Sequence, residues 1–259
     1  MRGRGLLSVS PAFLRVWLRN AQVFVALWKF NVFPSLAEPM LYIFIIGIGI
    51  GSYIKEIEGV PYIDFVAAGV LGSAAIMQAT FECTYGSFFR MRIQNTFEGI
   101  ISTPVSAGEV SLAEISWGAT RGLFNSSLVI IVLLFLGVLQ HWQVIFVPLL
   151  MFVAAFSFAA IAILVTSRIA QMEYFHFYFA GFVLPCQFMC GTFFPISRFP
   201  EAIQLIAWVI PFTSLVDLTR SLMLDRMHRG MIIEAAWVLV STLVVTELAV
   251  RSMHRRLVR

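Results

Sequence analysis

The sequence predicts an all-α membrane protein that forms a single transmembrane domain over residues 1–259, with six membrane-spanning helices. Two observations support this prediction. Hydrophobic residues make up 59% of the chain and charged residues only 12%, with a mean hydropathy of +0.88, whereas soluble domains are about 45–50% apolar and about 25% charged. The apolar residues also fall in runs of about 20, the length that a helix needs to cross a bilayer.

The first predicted element is an amphipathic helix over residues 11–30 that lies along the membrane surface. Arg15, Arg19 and Lys29 share one helical stripe with Gln22, and apolar side chains cover most of the remaining surface. Such a helix turns its basic stripe toward water and anionic headgroups while its apolar face enters the interface. The alternative is an irregular N-terminal extension.

The predicted spans cover residues 34–53, 63–88, 110–139, 142–166, 174–194 and 231–250. The second span contains Glu82, and the third contains Glu114 and Arg121. Charged groups are costly in hydrocarbon, so we expect these three side chains to face the bundle interior or a cavity, with a role in gating or substrate passage. The alternatives are a purely structural role within the bundle or pairing at the interface.

Residues 90–103 lie between the second and third spans and are too polar to cross the membrane. The pattern predicts a short amphipathic helix in a cytosolic loop, stopped by Gly99 or Pro104. Ile93 and Phe97 belong to its apolar face. Its other side carries polar residues, among them Arg90, Arg92, Gln94 and Glu98.

Residues 195–226 precede the last span and are interrupted by Pro195, Pro200 and Pro211. The apolar stretch between the last two prolines covers about 15 Å as a helix, which is half of the hydrocarbon core. A second short helix is expected to start at Ser214, with Asp217 completing a capping box and Arg220 following. We therefore expect an extracytoplasmic re-entrant helix pair. The alternative is two surface helices.

The distribution of basic residues predicts the orientation. Lysines and arginines concentrate before the first span, in the loop after the second, and in the C-terminal tail. Positive residues favour the cytoplasmic side, which places both termini in the cytoplasm of a multi-pass protein of the bacterial inner membrane. The same reasoning explains the net charge of +4 without a nucleic-acid partner.

No catalytic, cofactor or metal site is predicted in this chain. Cys83, Cys186 and Cys190 lie in apolar runs, and Glu173 with His176 forms a single Glu-x-x-His pair where di-iron bundles need two. No G-x-x-x-x-G-K-[ST] sequence is present to hold nucleotide phosphates.

Four stretches carry a resemblance to a known family. They are Leu36–Tyr42, Tyr62–Gly69, Phe88–Gly99 with Thr103 and Pro104, and Gly191–Pro195 with Phe199, Pro200 and Pro211–Arg220. These stretches resemble the type-2 ABC transporter permeases, which are the membrane subunits of ABC exporters. The closest likeness is to the NodJ-type branch that exports lipo-oligosaccharides.

The resemblance implies a mechanism. Two permease copies would form a homodimer with two ABC ATPase subunits, which bind the ATP and Mg. The cytosolic helix would be the coupling helix that docks on the ATPase, and the interfacial helix would rest beside it. The substrate would be an amphiphile such as a lipo-oligosaccharide, polysaccharide, lipid or drug. The alternatives are a secondary transporter and a membrane-embedded lipid-modifying enzyme.

Overall fold

A computed structural model describes residues 10–28, 37 and 39–258, with the backbone alone at residue 46. Lys29 and the beginning of the first predicted span lie outside these residues. The described helices are α1 (Phe13–Ala26), α2 (Pro39–Ser52), α3 (Tyr62–Ile93), α4 (Thr96–Ile101), α5 (Ala107–Phe135), α6 (Trp142–Thr166), α7 (172–189), α8 (Glu201–Val209), α9 (Pro211–Met223) and α10 (Met231–Leu257). An antiparallel hairpin of β1 (Glu56–Ile57) and β2 (Val60–Pro61) joins α2 to α3.

The described chain contains four helices long and apolar enough to cross a membrane: α3, α5, α6 and α10. The count becomes five if the bent pair α8 and α9 is one span. Of the predicted first span, the described part is α2, and the predicted fifth span corresponds to α7, whose helical segments end at Met189. The all-α membrane fold is therefore confirmed, and the number six stays a prediction.

Helix α3 is longer than the predicted second span. It has 32 residues and is about 48 Å long at 1.5 Å per residue. Two π-helical turns, Glu82–Gly86 and Phe89–Ile93, lie in its second half. It ends before Asn95, which takes a left-handed conformation with φ 51°, a conformation that asparagine tolerates better than most residues.

The bounds of the predicted cytosolic helix are therefore wrong. Residues 90–93 belong to the end of α3, and the separate helix α4 covers only Thr96–Ile101. The amphipathic pattern extends across the break because Ile93 and Phe97 are four residues apart. The left-handed conformation of Asn95 interrupts the helix between them.

Helix α5 crosses α3 and α6 at very close range. The helix begins with a capping box between Ser106 and Glu109. A Cβ atom added at Gly122 would lie 2.5 Å from both the Ala75 carbonyl oxygen and the Ala155 Cβ. Only a glycine leaves room for this close approach, so α5 packs directly against α3 and α6 in the centre of the bundle.

The segment before the last span contains two helices bent by 87°. Helix α8 begins after Pro200, as predicted, and is largely exposed. Helix α9 begins at Pro211, so the predicted start at Ser214 is wrong: Ser214 and Asp217 lie inside the helix, and no side chain caps it. Most of α9 is buried against α3, α6 and α10, which does not agree with two surface helices.

The bundle has two ends. We call the end with β1 and β2 the hairpin end, because Arg226, just before α10, donates a hydrogen bond to the carbonyl of Glu58 there (2.9 Å). We call the other end, where α3, α6 and α10 finish, the tail end. Arg256 near the end of α10 donates a hydrogen bond to the carbonyl of Thr166, the last residue of α6 (2.5 Å).

Candidate functional site

A group of four charged side chains lies between α3 and α5 toward the tail end. We call Glu82, Arg90, Glu114 and Arg121 the charge cluster. Arg90 is its centre: Nη1 lies 2.8 Å from Glu82 Oε1, and Nη2 lies 2.6 Å from Glu114 Oε2. Arg121 Nε lies 3.5 Å from Glu82 Oε2. Two carboxylates and two guanidinium groups therefore compensate each other in a setting where isolated charges would be costly.

Neutral side chains donate further hydrogen bonds to both carboxylates. Ser87 donates from Oγ to Glu114 Oε2 at 2.5 Å, and Trp117 donates from Nε1 to Glu82 Oε1 at 3.0 Å. Glu114 is only 1% exposed. Several donors on one buried carboxylate fix its position.

Helix α1 is attached directly to this cluster. Asn20 is buried and donates from Nδ2 to Glu114 Oε1 at 2.8 Å. Arg121 stacks on the Phe24 ring, with Cζ 4.3 Å from the ring centre. Trp17 also donates from Nε1 to Thr120 Oγ1 at 3.0 Å. The N-terminal helix, the second span and the third span thus meet at one polar centre.

A cavity of about 470 Å³ opens beside the charge cluster. One part of its wall is polar and includes Arg19, Gln94 and members of the cluster, and another part is apolar and includes Phe24 and Phe81. A second cavity of about 260 Å³ lies further along α3 and also contacts Phe81. Its polar lining is neutral: Ser73, Gln78, Asn125 and Gln187.

The structure brings Glu82, Glu114 and Arg121 together within the bundle. Glu82 and Arg121 also line the larger cavity, whereas Glu114 is buried and does not line it. The structure places two of the predicted coupling residues elsewhere. Arg90 turns inward to the charge cluster, and Phe97 is buried at 1% exposure. Neither presents a free surface to a partner protein. The exposed residues around the break between α3 and α4 include Arg92, Ile93, Gln94 and Glu98.

The other predicted positions are distributed along the chain. Arg15 is exposed on α1, and Arg19 lines the larger cavity. The prolines of the predicted re-entrant element flank α8 and open α9. Arg220 on α9 donates to the Gly191 carbonyl at 2.6 Å and stacks on Phe65, whereas Asp217 faces His228 (3.7 Å).

Sequence reasoning missed Asn20, Ser87 and Trp117. The signal at Asn20 was available, because an amide on the otherwise apolar face of an amphipathic helix implies a buried polar partner. Ser87 and Trp117 gave no such signal, because serine and tryptophan are common in membrane helices.

Comparisons with known proteins agree with this architecture. The profile of the family described as "ABC-2 type transporter" matches residues 11–224. Nodulation protein J of Sinorhizobium fredii (strain NBRC 101917 / NGR234) is 30% identical over 254 residues, 96% of this chain and 97% of that protein. Nodulation protein J of Bradyrhizobium diazoefficiens is 33% identical over 226 residues, 86% of each chain.

A more distant relative is the inner membrane transport permease YadH of Escherichia coli (strain K12). It is 23% identical over 206 residues, which is 80% of each chain. No solved structure matches the chain significantly.

Proposed function

Because this chain belongs to the ABC-2 type transporter family, we propose that it is the permease subunit of an ATP-driven exporter in the bacterial inner membrane. The family match over residues 11–224 carries this proposal. A separate ABC ATPase binds ATP and Mg²⁺, and two permease copies assemble with two ATPase subunits. Both termini are cytoplasmic, so the tail end faces the ATPase.

Coupling to the ATPase runs through the exposed turn between α3 and α4. Ile93, Gln94 and Glu98 form the contact surface, and a push on this turn acts on the last turns of α3, where Arg90 lies. Arg90 transmits the displacement to α5 through Glu114 (2.6 Å), and Asn20 carries it from Glu114 to α1 (2.8 Å). Packed helices respond to such a push as rigid bodies.

The substrate is an amphiphile: a lipo-oligosaccharide, a polysaccharide, a lipid or a drug. The two cavities that share Phe81 support a polar path for its head along α3. The names of the relatives, nodulation protein J and a transport permease, are compatible with this class.

The test is co-expression of the chain with the ABC ATPase encoded beside its gene, followed by purification in lipid nanodiscs. We expect a stable complex that hydrolyses ATP. Glu98→Arg should lower the yield of bound ATPase by about tenfold, because the introduced charge faces the docking cleft, a loss of about 1.4 kcal/mol in binding.

Arg198→Glu is the matched control. Arg198 is exposed and lies near the hairpin end, so this charge reversal should leave ATPase binding unchanged. Equal losses in both variants would contradict the coupling surface. A chain that never binds an ATPase and transports alone would instead indicate a secondary transporter.

A further inference from the structure

A concave basic site lies at the tail end, where α3, α6 and α10 finish, and it shares no lining residue with the charge cluster. We call it the arginine pocket. It has a volume of about 410 Å³ and is lined by Arg92 at the end of α3, Arg168 after α6, and Arg255 and Arg256 on α10, together with Ser167 and Ser252. Three separate elements therefore bring four guanidinium groups to one depression.

The positive charge of this pocket is uncompensated within the described chain. No carboxylate lines it, and none of its four arginines forms an ion pair with a described residue. Arg92 is close enough to Arg256 for electrostatic repulsion. Converging like charges raise the energy of the folded state unless an anion occupies the site.

The exposed guanidinium groups fit an oxygen-rich anion. The Oγ atoms of Ser167 and Ser252 are 2.6 Å apart, and Ser167 Oγ also lies 2.6 Å from the Leu164 carbonyl oxygen, so both hydroxyl groups are fixed at the pocket wall. Arg168 and Arg255 are exposed and able to converge on an anion in the depression. Guanidinium groups bind a phosphate group in a bidentate manner.

The surroundings favour a phosphate that carries acyl chains. Val244, Leu248, Ser252 and Arg255 lie on one face of α10, because they follow helical spacing. Val244 and Leu248 are 54% and 50% exposed, so an apolar stripe leads directly from the bilayer interior to the pocket. Because α3, α6 and α10 are long enough to cross a bilayer, we expect the pocket at their ends to lie at the level of the headgroups.

We propose that the arginine pocket binds the phosphate of an anionic phospholipid of the adjacent leaflet, with an acyl chain along the Val244–Leu248 stripe. The bound lipid connects the ends of α3, α6 and α10. This proposal rests on the membrane placement of these helices and on the tail end facing the anionic leaflet, and it requires no ATPase.

The test uses the full chain, purified alone in nanodiscs, with retained lipid measured by native mass spectrometry. In phosphatidylglycerol the chain should retain a tightly bound lipid. The double variant Arg168→Gln with Arg255→Gln should bind it about 30-fold more weakly, since each arginine near the surface contributes about 1 kcal/mol. The two single variants, each about fivefold weaker, guard against a folding defect in the double variant.

The matched control is Arg251→Gln. Arg251 lies one turn earlier on α10, is exposed, and pairs with Glu247 at 2.5 Å, so its removal should not change lipid retention. The proposal is overturned if the Arg251 and Arg255 variants lose lipid equally, or if phosphatidylcholine is retained as well as phosphatidylglycerol. It is also overturned if inorganic phosphate in phosphatidylcholine nanodiscs stabilises the chain equally, which would indicate a free-anion site.

A further outcome separates this proposal from the transport function. Loss of the ATPase from the complex in the double variant, with lipid retention unchanged, would make the pocket a protein contact and overturn the lipid assignment. Failure of the chain to bind any ATPase would contradict the exporter function and leave the lipid measurement valid.

Discussion

Arg90 and Arg220 are both largely enclosed guanidinium groups, but the two regions hold them by different means. Near the tail end, Arg90 contacts two carboxylates, Glu82 and Glu114, at 2.8 and 2.6 Å. Near the hairpin end, Arg220 donates to the Gly191 and Phe65 carbonyls and stacks 3.7 Å from the Phe65 ring centre. No carboxylate among the described residues is within ion-pair distance of Arg220.

The two settings predict different losses of stability when each arginine is removed. Removing Arg90 leaves Glu114 without its counter-charge and Glu82 with Arg121 alone at 3.5 Å, whereas removing Arg220 leaves two neutral carbonyls and an aromatic ring. Uncompensated buried charge costs more than a lost neutral partner. In the charge cluster, each charged group is compensated by the others. The Arg220 site is a local contact that joins α9 to the turn at Gly191.

The largest expected effect is therefore at Arg90. Arg90→Met should destabilise the chain by about 3–5 kcal/mol, since it leaves the buried Glu114 carboxylate without its counter-charge. Arg220→Met should cost less, about 1–3 kcal/mol, for the lost charged hydrogen bonds and ring stacking. Thermal unfolding in detergent, followed for both variants, measures the difference.

A double variant checks the physical reason. Adding Glu114→Gln to Arg90→Met removes the uncompensated charge and keeps the Arg121–Glu82 pair (3.5 Å), so much of the lost stability should return, because neutral replacement of a buried ion pair is often tolerated. No recovery, or equal losses at Arg90 and Arg220, would mean that packing rather than charge decides both regions.

A smaller effect is expected where α1 joins the cluster. Asn20→Ala removes the amide that donates to Glu114 Oε1 and should cost about 1–2 kcal/mol, since Arg90 and Ser87 still hold that carboxylate. Protease protection of α1 should fall as well. Gln22→Ala on the exposed side of the same helix is the control, and similar losses in the two variants would contradict the attachment.

The smallest effect is expected in the loop at the hairpin end. The Nε2 atom of His228 lies 3.1 Å from Glu234 Oε1 and 3.7 Å from Asp217 Oδ2. On the other side of the ring, Nδ1 lies 3.5 Å from Ser221 Oγ. The hydrogen bond that the protonated ring donates to the Glu234 carboxylate raises the pKa of His228 above its usual value. Its stabilising contribution is thus complete below about pH 6.5 and disappears as the pH rises through the higher folded-state value.

The unfolding temperature should therefore decrease slightly between about pH 6 and pH 8, and His228→Gln should reduce this dependence. Because the ring is 41% exposed, solvent weakens the interaction and the shift should be small. An identical pH profile in His228→Gln would show that this contact contributes nothing.

Much of the candidate site could be predicted from the residues. Glu82, Glu114 and Arg121 were identifiable because charged groups inside apolar runs need partners or water. Arg90 was assigned to the wrong surface, because its sequence neighbours are those of a loop and the continuation of α3 through two π-turns left no clear pattern. Asn95, where α3 stops, carried the relevant local signal, but asparagine is too common in loops to identify a break by itself.

The start of α9 illustrates the same limit. Ser214 with Asp217 matches a capping box by spacing, yet proline at the first position of a helix is equally favourable, and Pro211 opens the helix. Burial of α9 decided between these starts, since starting the helix at Pro211 packs Phe212 and Leu215 against the bundle.

The sequence by itself determined that the chain is a helical membrane protein, where its long apolar helices lie, and which intramembrane charges need compensation. These properties follow from composition and from helical spacing along one chain. The tertiary structure alone decided that Arg90 joins Glu82, Glu114 and Arg121, that Asn20 attaches α1 to them, and that four arginines converge at the tail end. Such contacts join residues far apart in the chain, and their geometry depends on how closely the helices pack.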